Sequence, residues 1–119
     1  MPDEHDHPQR PAMTPEPPYY AVVFSSLRTH DDDQGYAETA MRMVDLGTAM
    51  PGFLGIESVR GADKFGITVS YWKDEESIRN WQRHAEHLHA QRHGRERWYE
   101  CYALRVCRVE RASLFNPTN

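Results

Sequence analysis

The chain has little cysteine, no excess of positive charge and no long apolar run, and each shortage removes a class of protein. Two cysteines in 119 residues cannot make a disulfide-built scaffold. Cys101 and Cys107 fall in what reads as one strand, where they would stand about 20 Å apart at the strand rise, against the about 5.5 Å that a bridge spans. They are expected to be reduced thiols filling apolar positions. The formal charge of −4, from 14 Lys and Arg against 18 Asp and Glu, has the wrong sign for a nucleic-acid backbone or an anionic membrane. No apolar run approaches the ~20 residues of a membrane span. The opening MPDEHDHPQR has neither the basic nor the apolar region of a secretory signal, so a cytoplasmic location is expected.

What is present is enough for one domain, with 39% hydrophobic and 27% charged residues. A chain of this length buries about two-thirds of the surface that it exposes when unfolded. Residues Met1 to Pro18 hold six of the eight prolines and almost nothing apolar, so they read as a flexible or semi-extended tail. The domain is expected over 19–111, with a polar C-terminal tail over 112–119. YYAVVFSSLR, Tyr19 to Arg28, is β-branched and aromatic enough for a strand. Tyr20, Val22 and Phe24 point one way, and Tyr19, Ala21, Val23 and Leu27 the other. Asp31, Asp32 and Asp33 then offer an N-cap and first-turn carboxylates for a helix from about Gln34 to Ala49. Its inner face is Tyr36, Ala40, Met43, Val44 and Gly47 by helical spacing, and Met41, Met43 and Met50 read as core filler.

Pro51-Gly52 stops that helix. FLGIESVR (Phe53 to Arg60) and KFGITVSYW (Lys64 to Trp72), joined by Gly61-Ala62-Asp63, read as an antiparallel hairpin. Asp74, Glu75 and Glu76 cap a second helix that runs to about Arg92, with Gly94 as its C′ residue. WYECYALRVCRVE, Trp98 to Glu110, is a last strand, with Trp98, Tyr102, Leu104 and Val106 on one face and Tyr99, Cys101, Ala103 and Cys107 on the other. The order β-α-β-β-α-β is the ferredoxin-like α+β arrangement, a four-stranded antiparallel sheet with both helices on one side. The other face of such a sheet needs cover. With no residues left in the chain to supply it, a second copy is expected, giving a homodimer.

YYAVVFSS, MPGFLGIESVR, ITVSYWKDEESIRNW and HAEHLHAQRHGRERWYECY together resemble the antibiotic biosynthesis monooxygenase family over Tyr19 to about Arg111. The resemblance implies a dimeric α/β barrel. It also implies a range of activities, from cofactor-free oxygenation of anthrones to haem degradation. The haem-degrading branch carries an Asn, a Trp and a His. Trp81 matches its tryptophan, but His87 stands closer to Trp81 than in that branch, and Ser25 and Ser26 occupy the place of the Asn. Haem is therefore the disfavoured alternative, and no cofactor is expected.

A cofactor-free oxygenase needs a base poised near neutrality and a dry aromatic pocket. His87 is the candidate base, Trp81 and Trp72 the walls, and Tyr20, Phe24 and Tyr71 further lining for a small hydrophobic or aromatic ligand. On the second helix Ile78, Trp81, Ala85 and Leu88 make one narrow apolar stripe. In a straight helix, at about 100° per residue, His87 is turned about 120° from Trp81, so a shared pocket asks for a bend near residues 82–85 or for another element. His89 and His93, or His84 and His87, have spacings that can bring two imidazoles to one metal. HExxH is absent and no third ligand is evident, so no metal site is expected and the histidines read as a solvated face. Trp72 and Trp81 have a plain core reading as well. Three functions remain open: a small oxygenase, a non-catalytic dimer that binds a small hydrophobic ligand, and a haem-binding or haem-degrading enzyme.

Overall fold

The computed structural model describes residues 9–92 and 97–117, with residues 87–92 described by their backbone alone. The elements are β1 (Tyr19–Arg28), α1 (Asp33–Ala49), β2 (Phe53–Arg60), β3 (Phe65–Trp72), α2 (Glu75–Arg92) and β4 (Tyr99–Val109). The four strands form one antiparallel sheet in the order β2-β3-β1-β4. This is the expected ferredoxin-like α+β fold.

Local chemistry sets the helix starts. Asp32, in a left-handed conformation with φ of 52°, caps α1 by accepting the Gly35 N–H at 3.2 Å. Asp74 caps α2 by accepting the Ser77 N–H at 2.8 Å and its hydroxyl at 2.6 Å. At the end of α1, Gly52 adopts φ of +88° directly over Ser77, where a Cβ would meet the Ser77 Oγ. That close approach needs glycine.

Register decides what faces the helices. Rows of cross-strand neighbours run Phe53, Trp72, Tyr20; then Ile56, Ser70, Val22, Val106; then Ser58, Thr68, Phe24, Leu104; then Arg60, Gly66, Ser26, Tyr102. Val22, Trp72 and Ile78 of α2 are the buried cluster on this face, with Tyr20, Met50, Phe53 and Trp81 packed against it. Burying Val22 and Ile78 stabilises the fold by about 1.5–3 kcal/mol each. Met41, expected in the core, is 68% exposed, because its place on the helix turns it away from the sheet.

β4 departs from simple alternation. It begins at Tyr99, not at Trp98, and its register against β1 slips between Leu27 and Arg28, so that Leu27 faces Cys101 while Arg28 faces Tyr99. The slip moves Tyr99 to the helix side, where its ring meets Phe24 at 5.5 Å and Tyr36 at 5.9 Å. Trp98 lies just before the strand, 1% exposed, and donates its indole N–H to Asp32 at 3.2 Å. Cys101 and Cys107 are free as expected but exposed rather than buried, since β4 is an edge strand.

The proline-rich tail differs most from expectation. Residues 9–18 lie against the helix-free face at the β2 edge. The Gln9 side-chain amide donates to the Ser58 carbonyl at 2.7 Å and accepts from the Ser58 N–H at 2.8 Å. Ala12 N–H donates to Glu57 at 2.8 Å, and the Ala12 methyl fills the space above Gly55. Thr14 donates to the Tyr19 hydroxyl at 2.7 Å. The chain thus supplies part of the cover that the sequence assigned to a second copy. Val59, Phe65 and Ile67 stay exposed at 69%, 46% and 37%.

Candidate functional site

Between the helix-side face of the sheet and the two helices lies a cavity of about 270 Å³. The α1 positions read as its inner face, Tyr36, Ala40, Met43, Val44 and Gly47, all line it. Trp72 and Trp81 form one wall with rings stacked 6.1 Å apart at 22°, and Phe53 meets Trp72 edge-on at 5.5 Å. The Trp72 indole N–H is satisfied by the Ser70 hydroxyl at 2.9 Å, so Trp72 offers the cavity ring surface rather than an unpaired donor. Val44, Tyr102 and Leu104 are the exposed apolar members of the lining, and they mark the open side beside β4.

The end opposite the tryptophans is polar. Arg60 reaches from β2 across Gly66 to β1, where its guanidinium donates to the Ser26 carbonyl at 3.2 Å and hydroxyl at 2.7 Å. It also donates to the Lys64 carbonyl at 2.5 Å and the Tyr36 hydroxyl at 3.3 Å. A Cβ on Gly66 would stand 2.7 Å from the Arg60 Cζ, so glycine makes the crossing possible. The Tyr36 ring lies under the Arg28 guanidinium at 3.8 Å and also faces Arg60, whose Cζ is 5.8 Å from its centroid. Such cation–π contacts fix a ring in place. Burial pushes the Tyr99 hydroxyl well above the ordinary phenol value, with the adjoining Tyr36 hydroxyl acting in the same direction.

The acidic run before α1 serves structure. Asp31 and Asp32 pair with Arg97, and Asp33 pairs with Arg28 and Lys64. The Arg28 guanidinium beside Asp33 holds its carboxyl below the usual range, with Lys64 adding to the effect. Among the described residues no group of three His, Cys, Asp or Glu could hold a metal ion.

Of the residues singled out in the sequence, Trp72, Trp81 and Phe24 line the cavity together. Tyr20 is on the same sheet face but packs against the buried cluster rather than lining the space. Tyr71 is a correction: neighbour to Trp72 in a strand, it points to the opposite face, where it donates to Glu57 at 2.7 Å and packs on Tyr19. Burial, aided by that bond to Glu57, pushes its hydroxyl up to about 12. His84 is exposed and does not line the cavity. The backbone of α2 runs as one helix through residues 82–85 to Arg92; the side chains of His87, Leu88 and His89, and His93 and Gly94 entirely, lie outside the described residues. The lining residues that sequence reasoning missed are mainly Arg60, Tyr99 and Glu86. Arg60 carried a faint signal, a charge on the same alternation as Ile56 and Ser58. Tyr99 carried none, because a register slip is not written in a pattern of twos.

An antiparallel sheet with two helices on one face and an aromatic cavity between the layers defines a small ferredoxin-like α+β protein built around a ligand-sized space. The chain belongs to the family described as antibiotic biosynthesis monooxygenase, whose model matches residues 19–93. It is 58% identical over 104 residues to the uncharacterized protein YqjZ of Bacillus subtilis, covering 87% of this chain and 90% of that one. Among solved structures it resembles a conserved protein from Methanosarcina mazei, with a TM-score of 0.66 at 13% identity over 78% of this chain and 94% of that one. It also resembles SnoaB, a cofactor-independent oxygenase from Streptomyces nogalater, with a TM-score of 0.60 at 16% identity over 82% and 98% of the two chains. Identities this low carry the fold alone. No helix among the described residues is long and apolar enough to cross a membrane.

Proposed function

We propose that this protein is a small oxygenase that acts without a cofactor on an aromatic or hydrophobic small molecule bound in the cavity. The observation that carries this reading is the stacked Trp72–Trp81 wall facing Phe24 across an apolar space with polar groups at one end. Family membership and the resemblance to a cofactor-independent oxygenase support it. The reaction begins when a base removes a proton from an activated phenol or anthrone. The resulting carbanion passes an electron to O₂. The substrate radical and the superoxide so formed combine in a C–O bond, the peroxide takes back the proton, and loss of water leaves a carbonyl. Ring walls hold the planar anion and guard it against reprotonation by solvent.

His87 is the base proposed from the family resemblance, since a neutral imidazole accepts a proton near neutral pH. Because α2 runs as one helix through residues 82–85, the proposal requires a bend of that helix, or a second element, to bring His87 to the substrate. Glu86 is the carboxylate among the described lining residues. Oxygen uptake with 1,8-dihydroxyanthrone, above the rate of its spontaneous oxidation, tests the activity. Uptake that survives in His87→Ala removes His87 as the base, and uptake lost in Trp81→Ala but kept in His84→Ala ties the reaction to the cavity. Tight binding of the anthrone with no uptake by the wild type would favour a non-catalytic ligand-binding protein. Ser25 and Ser26 stand where the haem-degrading branch carries its Asn, which disfavours haem. An unchanged haemin absorption band on mixing is the expected result.

The assembly proposed with this function is a homodimer. Val59, Phe65 and Ile67, exposed on the helix-free face, are the surface that a second copy would cover. Light scattering after gel filtration should give twice the chain mass, and Ile67→Asp should lower it.

A further inference from the structure

We infer that the cavity selects aromatic ligands bearing an anionic group, which docks at Arg60. This rests on the cavity being the ligand site. Arg60 is half-buried, and all four of its acceptors, two backbone carbonyls and two hydroxyls, are neutral. No carboxylate among the described residues is within ion-pair distance of it; the neighbouring Arg28, by contrast, pairs with Asp33 at 3.1 Å. A cation drawn out of water without a counter-charge is costly. The sequence nevertheless keeps it there, with Gly66 left bare so that the guanidinium can lie across β3.

An anion supplied by the ligand offsets that cost through its charge. The Nε–H, the one guanidinium donor not used by the four protein acceptors, is available for a charge-assisted hydrogen bond, about twice as strong as a neutral one. The rest of the lining gives the ligand a direction. Trp72 and Trp81 hold its ring system at the far end of the space from Arg60. Tyr36, held by the Arg28 guanidinium over its ring and by the Arg60 hydrogen bond to its hydroxyl, adds that hydroxyl beside the anion. The ligand class is therefore a fused-ring or bicyclic aromatic carboxylate, or an acidic phenol bound as its phenolate.

The test compares naphthalene-2-carboxylate with naphthalene-2-carboxamide, which matches it in shape and lacks the charge. Isothermal titration calorimetry on the full chain should give a preference of about tenfold or more for the carboxylate, the ratio that one charge-assisted contact produces. Arg60→Gln should bring the two affinities within about twofold while carboxamide binding is kept, and Arg60→Lys should restore part of the preference. Equal binding of both compounds by the wild type overturns the anion subsite and leaves the cavity reading standing. A preference that persists in Arg60→Gln overturns the role of Arg60. Binding of neither compound overturns the cavity reading and this inference together. Should Arg60→Gln fail to fold, the wild-type preference and the Arg60→Lys variant still decide.

Discussion

Gly66 is a small residue with a large consequence, because the Arg60 guanidinium occupies the volume that any side chain there would need. Gly66→Ala should cost about 1–3 kcal/mol in urea denaturation, the range for breaking hydrogen bonds of a charged group. In an Arg60→Ala background the same change should cost much less, and a double-mutant cycle would report the coupling. Gly47 is the opposite case. A Cβ there would meet the Trp81 ring at 3.7 Å, an ordinary contact. Gly47→Ala should therefore stabilise the protein by about 0.5–1 kcal/mol through helix propensity alone, while narrowing the cavity beside its tryptophan wall.

At the scale of elements, the start of α1 concentrates several loads on one side chain. Asp32 caps the helix, accepts the Trp98 indole N–H and pairs with Arg97 at 3.4 Å. Asp32→Ala should cost about 2 kcal/mol, the upper end of the range for N-cap loss, and Asp32→Asn should recover part of it because the amide oxygen still caps. Thermal denaturation followed by far-ultraviolet circular dichroism checks both. The acidic run reads in the sequence as a helix start. The structure spends its charges on Arg28, Lys64 and Arg97, three partners that lie far from the run in sequence or at the end of a neighbouring strand.

At the scale of the whole molecule, the segment over 9–18 closes the β2 edge. Backbone groups on an exposed edge invite pairing with another chain, and the Gln9 amide satisfies both of those at Ser58. A chain lacking residues 1–18 should keep its fold, lose about 1–3 kcal/mol with these hydrogen bonds, and associate at lower concentration, as sedimentation velocity would show. The extremes of pH bear on the whole fold as well. The Ser77 hydroxyl and N–H hold the Asp74 carboxyl below its ordinary value, as Arg28 and Lys64 do for Asp33. That stability is present above the ordinary carboxylate range and is lost as pH falls through the lowered values, below about 4. Tyr71 acts in the alkaline direction. Its folded value near 12 exceeds the free phenol's 10.0, so its contribution is complete below the unfolded value and is lost as pH rises from there through the folded one. Urea midpoints measured through this alkaline window should fall, and Tyr71→Phe should flatten the fall.

The sequence by itself determined the elements, their order and the face that each helix turns inward. Those features follow from residue period and capping chemistry, which are local. Trp72, Trp81, Phe24 and the α1 stripe were legible as lining for the same reason: alternation and helical spacing assign each to a face before any contact is known. Tertiary structure decided the rest. The reach of Arg60 across Gly66, the β4 slip that turns Tyr99 inward, and the docking of residues 9–18 on β2 all depend on which strands are neighbours and in what register. Tyr71 marks the boundary between the two. Alternation alone separates it from Trp72, but only the layered structure shows which of those faces holds the cavity.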